Sequence, residues 1–413
     1  MNRKAMGPGL FMALTAWAVG NSAFGVHNLR EKDLAIIMPL EEKGLITTGG
    51  NTQLGRNLLP SSWYQSLHAA YLKTSIGDAL MSESRYEDWT LVSLRIAPCA
   101  PLGLAPSQKI DDLCWPEVRL VWQPVLRKIT LHARYMEAAG EDRSVHAIYP
   151  VAPTVAFLKG DEAKEAQNFL QKIKDAVTDQ GNPETLTAAE IERFRTLRNR
   201  TSRELLNRTL SLRASGIDPT LYEQHGTRPE FARGEGTPFL AKLGEFLRDF
   251  AQPGHLQTLT SFSLPAGREP AHLDEWVFLS FKGEKGKIVP LPIAIHSKKD
   301  GRKLLSLTSS MRGTMARDDE ALYEPFADEV AAELKETVML RVPDIRRLAS
   351  ILQDRKQILV PNTSCISCHK MNSERFDFHN LSYLEDRDIS ISPRVKRDVE
   401  LDRSWITDFL SDD

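Results

Sequence analysis

The 413-residue chain carries 53 Lys and Arg against 55 Asp and Glu, a formal net charge of −2, and 41% of its residues are hydrophobic. That composition describes an ordinary globular chain with room for two or three domains. It excludes the strongly basic surface that nucleic-acid binding requires.

The N-terminus reads as an export signal. Arg3 and Lys4 precede a largely apolar run from Met6 to Gly20, and Ala23-Phe24-Gly25 offers a small-x-small cleavage site before Val26. The apolar run is short for a bilayer span, which needs about 20 residues, and Pro8 and Gly9 interrupt it. Residues 1–25 are therefore expected to be a cleaved signal peptide. The mature chain is expected to be periplasmic or secreted, with no membrane span.

Residues 26–325 read as an α+β region. Ser61 or Ser62 can cap a helix carrying Trp63, Leu67, Ala70 and Tyr71 at helical spacing. The period then changes to two. Thr90, Val92, Leu94 and Ile96 mark one strand, Val118, Leu120 and Trp122 a second, and Val145 to Val151 a third. Cys99 and Cys114 flank the loop between the first two strands. In an oxidising compartment they are expected to form a disulfide, worth about 3 kcal/mol for a loop of this length in the chain-entropy model. The alternative is a pair of buried free thiols.

A helix follows with the stripe Ala166, Phe169, Leu170, Ile173 and Val177, and Thr187-Ala188-Ala189-Glu190 has the pattern of a capping box. The helix it opens carries Ile191, Phe194, Leu197, Leu205 and Leu206. Its basic residues Arg193, Arg195, Arg198 and Arg200 alternate with acids and read as a solvated face. A second β-rich segment has strands at Leu256 to Leu264, Trp276 to Phe281 and Ile288 to Ile295, with Gly283-Glu284-Lys285-Gly286 as a four-residue turn. Leu91-Val92-Ser93-Leu94 and Leu259-Thr260-Ser261-Phe262 echo each other. Two weakly similar halves, 26–215 and 216–325, and two unrelated β segments of one α+β domain both fit.

Further helices are expected at Ala327 to Met339, after Asp344, and from about Asp402, where Trp405, Ile406, Phe409 and Leu410 recur. Between them stands Cys365-Ile366-Ser367-Cys368-His369, a C-x-x-C-H. Two thiols one helical turn apart can add to the vinyl groups of a haem, and the adjacent imidazole can ligate the iron. A zinc site would want a second Cys or His pair nearby. A thioredoxin-like redox pair would need no trailing His.

The motif resembles the haem-attachment site of c-type cytochromes, over the C-terminal region alone. The resemblance implies a small, mainly helical cytochrome c-like domain at 326–413 and one covalent haem c. It also implies thioether links at Cys365 and Cys368, and His369 as the proximal iron ligand. The family's usual downstream Met ligand has no counterpart. Met371 alone follows His369, and two residues reach about 7 Å at most. His379 is a candidate distal ligand, since ten residues span about 33 Å. Met311, Met315 or Met339 from upstream, or an open site, are the alternatives. Arg375, Arg394, Lys396 and Trp405 are candidate propionate contacts.

The resulting expectation is an exported c-type haem protein, transferring electrons in the periplasm to an unidentified redox partner protein. The alternatives are a haem-dependent oxidoreductase or peroxidase-like enzyme, or a haem-based binding or sensor protein. No catalytic residue is nominated. His68, His132, His146, His225, His255, His272 and His296 sit in no motif, and P-loop, H-E-x-x-H and dinucleotide fingerprints are absent from the sequence.

Overall fold

The computed structural model describes residues 29–38, 45–50, 53–71, 85–102, 113–124, 143–153, 157–178, 187–217, 227–233, 236–263, 277–290, 293–297, 301–305 and 393–411. In chain order the elements are α1 (Glu31–Leu34), β1 (Ala35–Ile37), α2 (Gln53–Leu58), α3 (Ser61–Tyr71), β2 (Trp89–Pro101), β3 (Cys114–Pro124) and β4 (Arg143–Pro150). There follow α4 (Gly160–Thr178), α5 (Ala188–Ala214), α6 (Pro229–Ala232), α7 (Pro238–Phe250), β5 (Thr258–Ser263), β6 (Val277–Glu284), β7 (Lys287–Pro290), β8 (Ile293–Ser297), β9 (Gly301–Leu305) and α8 (Pro393–Ser411).

Strands β1 to β7 form one seven-stranded sheet in sequence order, antiparallel at every pairing. Both β-rich segments of the sequence enter this sheet. The alternation of apolar residues sets its register, because side chains on a strand point to opposite faces in turn. One row across the sheet runs Leu94, Leu120, Ala147, Leu259, Phe281. All five are buried and belong to one core. The neighbouring row, Arg95, Arg119, Ile148, Thr258, Lys282, points to the other face.

The apolar face is covered by helices whose own stripes match it. Trp63, Leu67 and Tyr71 of α3 and Phe239, Leu243, Leu247 and Phe250 of α7 share the core with the strands. Trp63 Nε1 donates to the Gly286 carbonyl at 2.9 Å. Tyr71 Oη shares a 2.6 Å hydrogen bond with Ser261 Oγ, which in turn donates to the Ser144 carbonyl at 3.0 Å. These contacts satisfy polar tips whose rings are buried.

Helix α5 begins as its capping box requires. Thr187 Oγ1 accepts from the Glu190 amide at 3.2 Å, and the Glu190 carboxylate accepts from the Thr187 amide at 2.8 Å. A second cluster, with Trp115, Ala166, Ile173, Phe194 and Leu197, seats α4 and α5 against the start of β3.

Three expectations change. The β6–β7 turn is two residues long, not four: Lys285 and Gly286 have φ of 50° and 79°. Positive φ at both central residues matches the right-handed twist of the flanking strands, so the ladder continues through Glu284 paired with Lys287. The expected strand Ile288 to Ile295 is broken, because β7 ends at Pro290 and β8 pairs with β9 in a separate two-stranded sheet.

The third change concerns fold class. The chain is a mixed α+β fold with a large antiparallel sheet, and its last helix does not close a separate cytochrome-like domain. Helix α8 starts at Pro393, packs on β2 and α1, and places Val399, Ile406 and Phe409 in the same core as the sheet. The helices expected at Ala327 to Met339 and after Asp344 lie outside the described residues.

Candidate functional site

The polar face of the sheet carries a cluster of ionisable groups. Arg95 and Arg119 are cross-strand neighbours on β2 and β3. Like charges placed so close repel, and three carboxylates offset them. Asp402 of α8 pairs with Arg95, with its side chain 0% exposed. Glu117 pairs with Arg119, and Asp398 adds its charge beside Arg119. Arg95 Nη1 also donates to the Leu34 carbonyl at 3.2 Å and to that of Ile96. Burial works against the Arg119 charge, but these acids together hold its pKa above the usual arginine value.

His146 lies one row along, opposite Val121 and Thr260. Burial, and secondarily the Arg119 charge, push its pKa down to about 4, so the imidazole is neutral at physiological pH. Its Nε2 shares a 2.9 Å hydrogen bond with Ser144 Oγ. A hydroxyl against a neutral imidazole is the nucleophile–base pairing of acyl transfer. Here Ser144 is 0% exposed, which closes its oxygen off from a substrate and leaves the pair as a satisfied polar contact.

A second ionic cluster ties α1 to α6. Arg228, 1% exposed, donates to Asp33 Oδ1 at 3.3 Å and to Glu230 Oε1 at 3.1 Å, and its Cζ stands 4.1 Å from the Phe239 ring centre. Glu230 Oε1 also accepts from the Ile217 amide at 2.7 Å. A buried guanidinium needs this number of partners, because leaving it unpaired costs several kcal/mol, on the order of 3–5.

The third feature is the Cys99–Cys114 disulfide, which joins β2 to β3 beside Arg198 of α5. Arg198 departs from the expectation of a solvated face: it is buried, while Arg193 and Arg200 pair with Glu162 and Glu165 near the surface. The signal was in the helical spacing. Position 198 falls between Phe194, Leu197 and Thr201, all on the buried side.

Cys365, Cys368, His369 and His379 lie outside the described residues, as does Arg375. The described residues do not support a haem site. They contain no group of three or more His, Cys, Asp and Glu placed to hold a metal, and their two cysteines are joined to each other. Trp405 stacks on Phe409 at 4.8 Å beneath Arg198, and Lys396 is exposed. The haem c cofactor, the cytochrome identity, and the electron-transfer, peroxidase-like and sensor functions built on it do not carry over to this fold.

No helix among the described residues is long and apolar enough to cross a membrane. No protein-family model, no curated protein and no solved structure matches the chain.

Proposed function

We propose that the protein works outside the reducing cytoplasm as a disulfide-fastened binding or structural module. The observation that carries this reading is the buried Cys99–Cys114 bond between two adjacent inner strands. Structural disulfides persist in oxidising compartments and are rare where thioredoxin and glutathione keep thiols reduced. The leader-like segment before Val26 agrees with that placement. The module reading is supported by how the polar clusters are used. The guanidinium groups of Arg95, Arg119 and Arg228 all meet carboxylates within the fold, an arrangement that fastens elements together.

The test is expression of the full chain in a bacterial host, followed by fractionation, N-terminal sequencing and alkylation of free thiols. The expected product is extracytoplasmic, begins at Val26 and has Cys99 and Cys114 protected from alkylation. Cytoplasmic retention with both of these thiols alkylated would sink the reading.

A further inference from the structure

One cation touches both the disulfide and the C-terminal helix. Arg198 Nη1 donates to Cys114 Sγ at 3.4 Å, and its Cζ lies 5.7 Å from the centre of the Trp405 ring. Asn199 Oδ1 accepts from Arg198 Nε and Nη2 at 3.0 and 2.9 Å, which orients the fork.

The two sulfurs are unequal. Cys114 is paired in register with Pro101 and has the guanidinium beside it. Cys99 sits in a bulge: Ala97 pairs with Glu117 and Ala100 with Trp115, so Pro98 and Cys99 together oppose Pro116. A bulge residue can shift without breaking regular ladder hydrogen bonds. A thiolate beside an arginine is stabilised, and the better-stabilised thiolate is the better leaving group.

We propose that the Cys99–Cys114 bond is a redox latch on the C-terminal helix, opened by a dithiol reductant at Cys99 and released at Cys114 beside Arg198. Cys99 is only 7% exposed, so the bulge opens locally first, and a reductant thiolate then attacks Cys99 Sγ. The S–S bond breaks, its electron pair leaves on Cys114 Sγ, and a mixed disulfide forms at Cys99. The second reductant thiol, deprotonated, attacks its partner sulfur in that mixed disulfide. Cys99 leaves as a thiolate and takes up a proton, and the reductant departs as its own disulfide. One disulfide is reduced and one dithiol is oxidised. Pairing with the new thiolate draws the guanidinium from Trp405 and loosens α8. By linkage, a docked α8 favours the disulfide. The latch is a property of the folded molecule and stands apart from where the chain resides.

The test titrates the full-length protein with dithiothreitol. Peptide-resolved mass spectrometry after alkylation follows Cys99 and Cys114 separately from Cys365 and Cys368, and hydrogen exchange follows α8. Half-reduction and loss of amide protection in α8 are expected to coincide. Arg198→Met is expected to need about tenfold more reductant, equivalent to roughly 30 mV, with Arg198→Lys in between. In the wild-type protein, glutathione trapped part-way through reduction is expected on Cys99, a readout that holds even where Arg198→Met fails to fold. The proposal is overturned by an unchanged or lowered half-point in Arg198→Met. Glutathione on Cys114, or α8 protection that survives full reduction, overturns it equally.

Discussion

Arg95 of β2 and Asp402 of α8 stand 307 positions apart in the chain and meet as an ion pair with side chains only 12% and 0% exposed. The pair lies where the last helix crosses the polar face of the sheet. Asp402→Ala strands the guanidinium in a desolvated position, so a loss of about 3 kcal/mol is expected in urea unfolding. The double change Arg95→Met with Asp402→Leu removes both charges and is expected to cost less than Asp402→Ala alone. A double variant less stable than the single one would show that the charges themselves, and not their pairing, matter there.

Gln123 presents the opposite case. It is 0% exposed, and neither polar atom of its amide has a hydrogen-bond partner among the described residues. An unpaired buried amide is a cost that an apolar side chain of similar length does not carry. Gln123→Met is expected to raise stability by about 1 kcal/mol, seen as a higher urea midpoint at an unchanged slope. A lower midpoint would mean that the amide is in fact serving the fold.

His146 makes stability pH-dependent with a definite sign. Its folded pKa, about 4, lies below the ordinary value of 6.5, so the unfolded chain binds the proton more readily. The contribution is fully present above pH 6.5 and is lost as pH falls through the window down to about 4. One proton limits the slope to about 1.4 kcal/mol per pH unit. Unfolding measured across this range is expected to show that slope in the wild type and a shallower one in His146→Gln. Equal slopes in the two proteins would remove His146 as the cause.

Gly283 is needed for a close approach rather than for an unusual φ. A Cβ there would collide with the backbone carbonyl of Leu256, while its own amide donates to Gln257 at 3.0 Å. Backbone cannot swing aside as a flexible side chain can, so Gly283→Ala is expected to cost on the order of 1–3 kcal/mol. Gly286→Ala, in the turn three residues further on, meets nothing within 4 Å but is strained by its φ of 79°. Thermal unfolding of the two variants separates crowding from backbone strain, with the larger loss expected at Gly283.

The sheet was legible because period-two burial leaves a mark within each strand. Val118, Leu120 and Trp122 alternate in sequence and all face one core in the structure. The capping box at Thr187 was legible for the same local reason. Helix α7 was missed although its signals are ordinary: Thr237 caps it, Pro238 opens it, and Phe239, Leu243, Phe246, Leu247 and Phe250 form its buried side. What no local pattern could reveal is where a helix docks. The run Trp405, Ile406, Phe409 and Leu410 says only that one side of α8 is apolar. Its partner, the strand bearing Arg95, is remote in sequence. The C-x-x-C-H motif drew the end of the chain toward a cytochrome domain, whereas the contacts of Val399, Asp402 and Ile406 assign the helix to the sheet. Arg198 is a mixed case. Its burial was written in the helical spacing, but its contact with Cys114 was not.

The docking of α8 also orders events during biosynthesis. A ribosome adds roughly 5–20 residues per second, so the 307 positions between Arg95 and Asp402 take roughly 15 to 60 seconds to make. Through that interval β2 exists without the carboxylate its arginine requires and without Val399, Ile406 and Phe409 over it. The nascent chain cannot complete this core until Asp402 and the helix around it have been made. On the proposed route out of the cytoplasm, such a delay would keep the polypeptide unfolded long enough to be threaded through a translocation channel, and would reserve final closure for the far side.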